Sequence, residues 1–355
     1  MLVGAPSPDD WPHLQKPMKT KLFNVLNMIC WKVILLLLAF PAYSQDHVDW
    51  SLVTPNAAWQ ARDSQAEVVF REQLWIMGGW FNSYEAPPRD VWRSADGKNW
   101  QLVNPSAPWI HSDLSMSLAF KDKIFMMGGW YNGRLEGHSA SNMVWSSTDG
   151  KDWSLETGTA SWTPRIAAAV VEFKGKMWLL GGIENYYFGD EKSLKNDVWY
   201  SEDGKEWKLA TADAGWAPRA YHQAAVLNGK IYVFGGGNYV PDYLAMNDVW
   251  SSEDGIHWEK LTDAAPWHER LWFSSVVYRD RIWVMGGWSN NPYKNWADIW
   301  YSRDGKEWRE LKTGKSWAGR HEHSAFVFQD KIWVAGGMVP PLVNDVWSLY
   351  LPEDW

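Results

Sequence analysis

The sequence predicts an all-β fold, a six-bladed β-propeller of four-stranded antiparallel blades, and three observations carry that prediction. First, the hairpin unit at residues 197–207, Asp-Val-Trp-Tyr-Ser-Glu-Asp-Gly-Lys-Glu-Trp, returns in variant form at residues 90–100, 142–153, 248–258 and 298–308, with a turnless echo at 345–355. Second, six Gly-Gly pairs (Gly78-Gly79, Gly128-Gly129, Gly181-Gly182, Gly235-Gly236, Gly286-Gly287 and Gly336-Gly337) each follow an apolar run. Third, the tryptophans closing successive units, from Trp50 to Trp355, recur about every fifty residues, the length of a propeller blade.

Within the unit, residues 197–201 alternate apolar and polar around a bulky aromatic, a strand signature. Asp203-Gly204 is expected to supply both positive-φ positions of a type I′ turn, with Trp207 opening the partner strand. The fourth repeat shows the full set of four runs, at residues 221–227, 230–234, 248–252 and 257–261. A blade of this kind cannot bury both faces alone, so neighbours stack around an axis and the ring must close. Residues 50–53 match a fourth strand with no first three before them, while the sixth repeat stops where its own fourth strand would begin. The ring is therefore expected to be closed by the N-terminal strand.

Thirty tryptophans would be unusual in any protein of 355 residues, but most occupy fixed repeat positions. They fall in the third strand of the blade (Trp92, Trp199), at the close of the hairpin (Trp100, Trp207), in the lead-in to the next blade (Trp109, Trp216), or before a Gly-Gly pair (Trp75, Trp178). Such positions read as packing residues.

Formal net charge is −8, and the first 44 residues carry a surplus of lysines, so the remainder is more acidic still. That balance excludes nucleic acid and anionic membrane as expected partners. The single cysteine, Cys30, leaves the repeats without a disulfide or a thiol nucleophile. Residues 33–40 form an apolar run after Lys32, too short for a membrane span. Ala42 and Ser44 follow at cleavage-site spacing, a secretory signal pattern. Two domains are thus expected: residues 1–44 as an extension plus signal peptide, with translation starting at Met18, and residues 45–355 as one propeller. The mature chain is expected in the periplasm or outside the cell, as a monomer without a transmembrane span.

The sixfold Gly-Gly pattern, each pair followed by a variable loop and an Asp-Val-Trp type strand, resembles the kelch-repeat β-propellers, with the six blades of bacterial sialic acid epimerases. The resemblance spans roughly residues 46–355. Residues 94–100 also resemble the Asp-box of sialidase propellers, shortened by one residue, which is a structural hairpin in that family. Kelch similarity implies that the loops joining strand two to strand three gather on one face around the axis, where ligands are met. It raises the copper chemistry of galactose oxidase as well, but that chemistry needs a cysteine cross-linked to tyrosine, so no cofactor is expected here.

The aromatic loop residues Trp80, Trp130, Tyr131, Tyr187, Trp288 and Trp296 are candidate ligand contacts, since aromatic rings beside amides suit a sugar. Asn82, Asn132, Asn185 and Asn290 are read as turn residues in those loops. At the entrance to strand one, Arg62, Arg165, Arg219, Arg270 and Arg320 recur, which suggests a structural arginine bonding neighbouring blades. Two residues further on, Ser64, Leu114, Ala167, Tyr221, Trp272 and Glu322 vary, and Tyr221, Trp272 and Glu322 join the binding candidates. Glu322, Arg134, His138 and Glu184 are the candidate acids and bases. His321 and His323 are expected to share one strand face, but spacing supplies no third ligand and His323 matches His222, so no metal site is expected. Blade two departs from the pattern at Ser112 and Met143. The expected function is carbohydrate binding through the aromatic loop face. The alternatives are a sugar isomerase or lyase of the sialic acid epimerase kind and a protein interaction scaffold, so the partner is a glycan or a protein.

Overall fold

The computed structural model describes residues 48–185, 191–353 and 355. The signal-peptide reading and Tyr187 lie outside the described residues. The only helical element among these residues is a 3-10 turn at Glu191–Ser193, and no helix is long and apolar enough to cross a membrane.

Six four-stranded antiparallel sheets form the six blades. In the first, Ala66–Phe70, Gln73–Met77, Val91–Ser94 and Gln101–Asn104 lie in sequence order. Blades two to five repeat this order. Blade six takes three strands from the C-terminal end, Ser324–Phe328, Lys331–Ala335 and Val346–Leu349, and its fourth is Trp50–Thr54. Trp50 pairs with Leu349 and Leu52 with Trp347, so the N-terminal strand does close the ring. Trp355 opens no strand and instead stacks on Trp283 of blade five at 5.3 Å.

Tryptophan geometry explains how each blade seals its outer end. The lead-in and hairpin tryptophans meet edge to face, Trp109 with Trp153 at 5.6 Å and Trp162 with Trp207 at 5.9 Å. Trp317 meets Trp50 in the same way across the closure, at 5.9 Å. Contacts of this kind add about 0.5–1.5 kcal/mol each beyond burial.

The hairpin between strands three and four differs from the expected type I′ turn. Its aspartate does not adopt positive φ; only the glycine does, as at Gly204 (φ +81). Asp203 instead accepts the amides of Lys205 and Glu206 on Oδ1, at 2.8 and 3.1 Å, and Ser201 Oγ accepts the Gly204 amide at 2.8 Å. These bonds build a longer loop, so strand four begins after the tryptophan, at Lys208. The two-residue turns with positive φ at both positions lie between strands one and two, for example Arg71-Glu72 and Lys121-Asp122. Hairpin glycines also serve blade stacking, because a Cβ on Gly255 would sit 2.1 Å from Trp178 of the preceding blade.

Candidate functional site

The recurrent arginines bond within their own blade through the side chain, which corrects the expectation that they bridge neighbours. Arg219 donates to the Gly235 carbonyl at 3.0 Å and to both oxygens of Asp248 at 2.6 and 2.8 Å, fully buried. Trp250 Nε1 holds the same aspartate at 2.8 Å. The link between blades comes from the backbone: the arginine carbonyl accepts the second glycine amide of the preceding blade, as in Gly182 to Arg219 at 2.9 Å and Gly337 to Arg62 at 2.9 Å. Blade two lacks both ends of the ion pair, with Ser112 for the arginine and Met143 for the aspartate. Its two departures are therefore one compensated change, since a lone buried charge would be costly.

At the entrance to each blade the chain then turns sharply at the axis. Ser64, Leu114, Ala167, Tyr221, Trp272 and Glu322 all adopt left-handed φ, between 50° and 58°. Their backbones bond around the axis: Ser64 N–H to Glu322 O (3.1 Å), Leu114 to Ser64 (3.3 Å), Ala167 to Leu114 (3.1 Å), Tyr221 to Ala167 (3.1 Å) and Glu322 to Trp272 (2.8 Å). Below this ring lies a channel of about 270 Å³ walled by the first strands and holding Glu67. Above it opens a funnel of about 500 Å³.

The funnel is two-sided. Asp63, Asp113 and His321 occupy the position directly after the arginine (serine in blade two) in blades one, two and six, whereas Ile166, Ala220 and Leu271 fill it in blades three to five. With Glu322, the polar three form an acidic wall, while Trp272, Trp288 and Tyr239 form an aromatic one. Asp113 is 2% exposed, and its Oδ1 lacks a hydrogen-bond partner, as do Glu322 Oε1 and Trp272 Nε1. Burial pushes the Asp113 carboxyl up to about 7. Asp63 and Glu322 are also raised, by burial first and then by the neighbouring carboxylates, so the three do not carry three charges at neutral pH. Burial lowers His321 to about 4, leaving a neutral imidazole stacked on Trp272 at 5.3 Å.

Of the binding candidates, Trp80, Trp272 and Trp288 line the funnel. Tyr221 lies on the channel side, its ring against Trp272. Trp130 does not present a stacking surface: it is 1% exposed, donates to Gly133 O at 2.9 Å and stacks on His138. Trp296 packs on His268 and donates to Ser289, and Tyr131 packs beside His111, so neither reaches the funnel wall. Of the acid and base candidates, Glu322 and Arg134 line the funnel. His138 is engaged with Trp130, and Glu184 pairs with Lys195 at 2.9 Å. Asn82 and Asn132 do cap their turns, Asn82 accepting the Tyr84 amide and Asn132 donating to Glu136 O.

His321 and His323 do not share a face. The left-handed φ of Glu322 (51°) interrupts the strand alternation between them, so His321 faces the funnel and His323 the channel. Asp63 and Asp113, one residue after the arginine position rather than two, are not among the residues the sequence singles out. The signal available was that position's division into three polar and three apolar residues.

Residues 114–337, more than half of the chain, match the KLHDC2/KLHL20/DRC7 Kelch-repeats domain. The chain is 26% identical over 180 residues to the dynein alpha chain of the flagellar outer arm from Chlamydomonas reinhardtii, covering 44% of this chain and 4% of that protein. It is 25% identical over 167 residues to a leucine-zipper-like transcriptional regulator 1 homolog from Drosophila melanogaster, covering 41% and 16%. It is 26% identical over 159 residues to alpha-scruin from Limulus polyphemus, covering 42% and 16%. The match thus spans a small part of each relative. With its six closed blades and its match to the repeat domain, the chain belongs to the kelch-repeat β-propeller family.

Proposed function

We propose that this kelch propeller is a binding module whose axial funnel takes a small polyhydroxylated ligand, a carbohydrate. The observation that carries this reading is the two-sided funnel. Acceptors on Asp63, Asp113 and Glu322 face aromatic rings across a space of about 500 Å³, within the usual range of ligand pockets. Sugar hydroxyls would donate to the carboxyl oxygens, and the C–H face of the ring would lie on Trp272 and Trp288. Lys294 and Arg134 at the lining add donors. Tyr293, 80% exposed and in contact with Trp288, stands at the funnel lining.

Saturation-transfer NMR with a panel of neutral and acidic monosaccharides tests the proposal. Binding is expected to weaken in Tyr293→Ala while the melting temperature stays unchanged. No saturation transfer to any sugar, with a protein partner cross-linked to the same loop face, would replace it by the interaction-scaffold reading. A second reading rests on the adjacent carboxyls of Asp63 and Glu322, whose raised pKa values place an acid beside a base. This is the requirement for isomerising a sugar by proton transfer. An NMR time course of anomer or epimer ratios, with Glu322→Gln as control, separates catalysis from binding. We also propose that the chain acts as an exported monomer. Cell fractionation and light scattering check those two points.

A further inference from the structure

We propose that Asp63, His321 and Glu322 form a divalent transition-metal site on the acidic side of the funnel, taking a cation of the Zn²⁺ class. One donor atom from each residue can be chosen so that all lie within 4.8 Å of one another. His321 Nε2 and Glu322 Oε2 are 3.7 Å apart. Donors held on one Zn²⁺ at about 2.1 Å lie about 3.4 Å apart in a tetrahedron, so His321 and Glu322 need only a small contraction, and side-chain rotation of Asp63 would bring its oxygen in from within 4.8 Å.

Two further observations point to a ligand. The first is unpartnered buried oxygen: Glu322, with its side chain 9% exposed, leaves Oε1 without a hydrogen bond, and Asp113 leaves Oδ1 so. A polar atom buried in this way costs stability unless something fills its place. The second is the set of the imidazole. His321 Nδ1 lies 2.7 Å from Asn295 Oδ1, and because a carbonyl oxygen can only accept, the ring proton is on Nδ1. That leaves the lone pair on Nε2, the nitrogen nearest Glu322. A ligating histidine is oriented in this way by an outer-shell acceptor. One imidazole, two carboxylates and no thiolate suit Zn²⁺ or Mn²⁺ better than a soft cation or Ca²⁺. The donors come from the first and last blades, so the site exists only when the ring is closed. It does not depend on whether a sugar binds.

The test is isothermal titration of chelator-treated full-length protein with ZnCl₂, MnCl₂ and CaCl₂ in the absence of saccharide. One equivalent of Zn²⁺ is expected to bind, with Ca²⁺ weaker. His321→Ala and Glu322→Gln should each abolish that step, and Asn295→Ala should weaken it about 10–100-fold through the outer shell. His257→Ala, at an exposed hairpin histidine, should leave it unchanged. A visible spectrum of the wild-type protein with Co²⁺ guards against misfolded variants, because a protein-bound ion gives ligand-field bands distinct from those of the aqueous ion. Wild-type protein that shows only the aqueous spectrum, or Zn²⁺ binding unaltered in both His321→Ala and Glu322→Gln, would overturn the site.

Discussion

The amide of Ser64 donates to the carbonyl of Glu322 at 3.1 Å, joining blade one to blade six at the axis. At the outer edge Trp50 makes the corresponding join, pairing with Leu349 and meeting Trp317 edge to face. The ring is closed twice, once at each end of the blades.

Trp50→Ala removes a fully buried ring from the outer join. A loss of about 3–5 kcal/mol in unfolding free energy is expected from urea denaturation. Removing residues 48–54 should cost more, since blade six then loses its fourth strand.

Arg219→Met leaves Asp248 buried without its partner and should cost about 3–5 kcal/mol. Adding Asp248→Met should recover much of that loss, because it removes the unpaired buried charge, as blade two does with Ser112 and Met143 in place of the ion pair. A double-mutant cycle by chemical denaturation reads the coupling. Strictly additive losses would contradict a shared ion pair.

Gly255→Ala and Gly175→Ala separate two roles of glycine. Both sites have positive φ (+77 and +72), but only Gly255 has a neighbouring blade within reach, whereas Gly175 has nothing within 4 Å. Gly175→Ala should cost about 1 kcal/mol for the backbone alone. Gly255→Ala should exceed that by about 1–3 kcal/mol for overpacking against Trp178. Thermal melts of the two variants give the comparison.

Glu67 in the lower channel makes stability depend on pH. Burial raises its carboxyl from 4.5 to about 8, so the folded state holds a proton that the unfolded chain releases. Its contribution is complete below about 4.5 and is lost as pH rises toward 8. Asp113 acts in the same direction. Urea midpoints should therefore fall between pH 5 and pH 8, and Glu67→Gln should narrow that difference.

Trp130→Ala tests the corrected role of a loop aromatic. Because the ring is enclosed and hydrogen-bonded to Gly133, the variant should lose about 3–5 kcal/mol of stability. Unchanged melting together with lost ligand binding would return Trp130 to the binding surface.

Blade number, strand order, ring closure and the packing role of most tryptophans were legible in the sequence, because a repeat imposes the same local physics six times. Apolar alternation, Gly-Gly pairs and turn glycines each report on neighbours near in the chain. The hairpin departs from expectation only in detail: an Asp-Gly pair suits a type I′ turn, but the preceding serine and the following amides offer the aspartate better bonds. The site was only half legible. Glu322 and Trp272 could be singled out as variable residues at a recurring position. Their partnership with Asp63 and Asp113 could not, because those residues come from other blades and meet only at the axis. The tertiary structure alone decided which loop aromatics stay available and which are enclosed, since that depends on how neighbouring loops pack. It likewise decided that one side of the funnel is acidic and the other aromatic. Closing the ring brings the first and last blades together, and the carboxyls gathered there acquire their raised pKa values from burial and from one another.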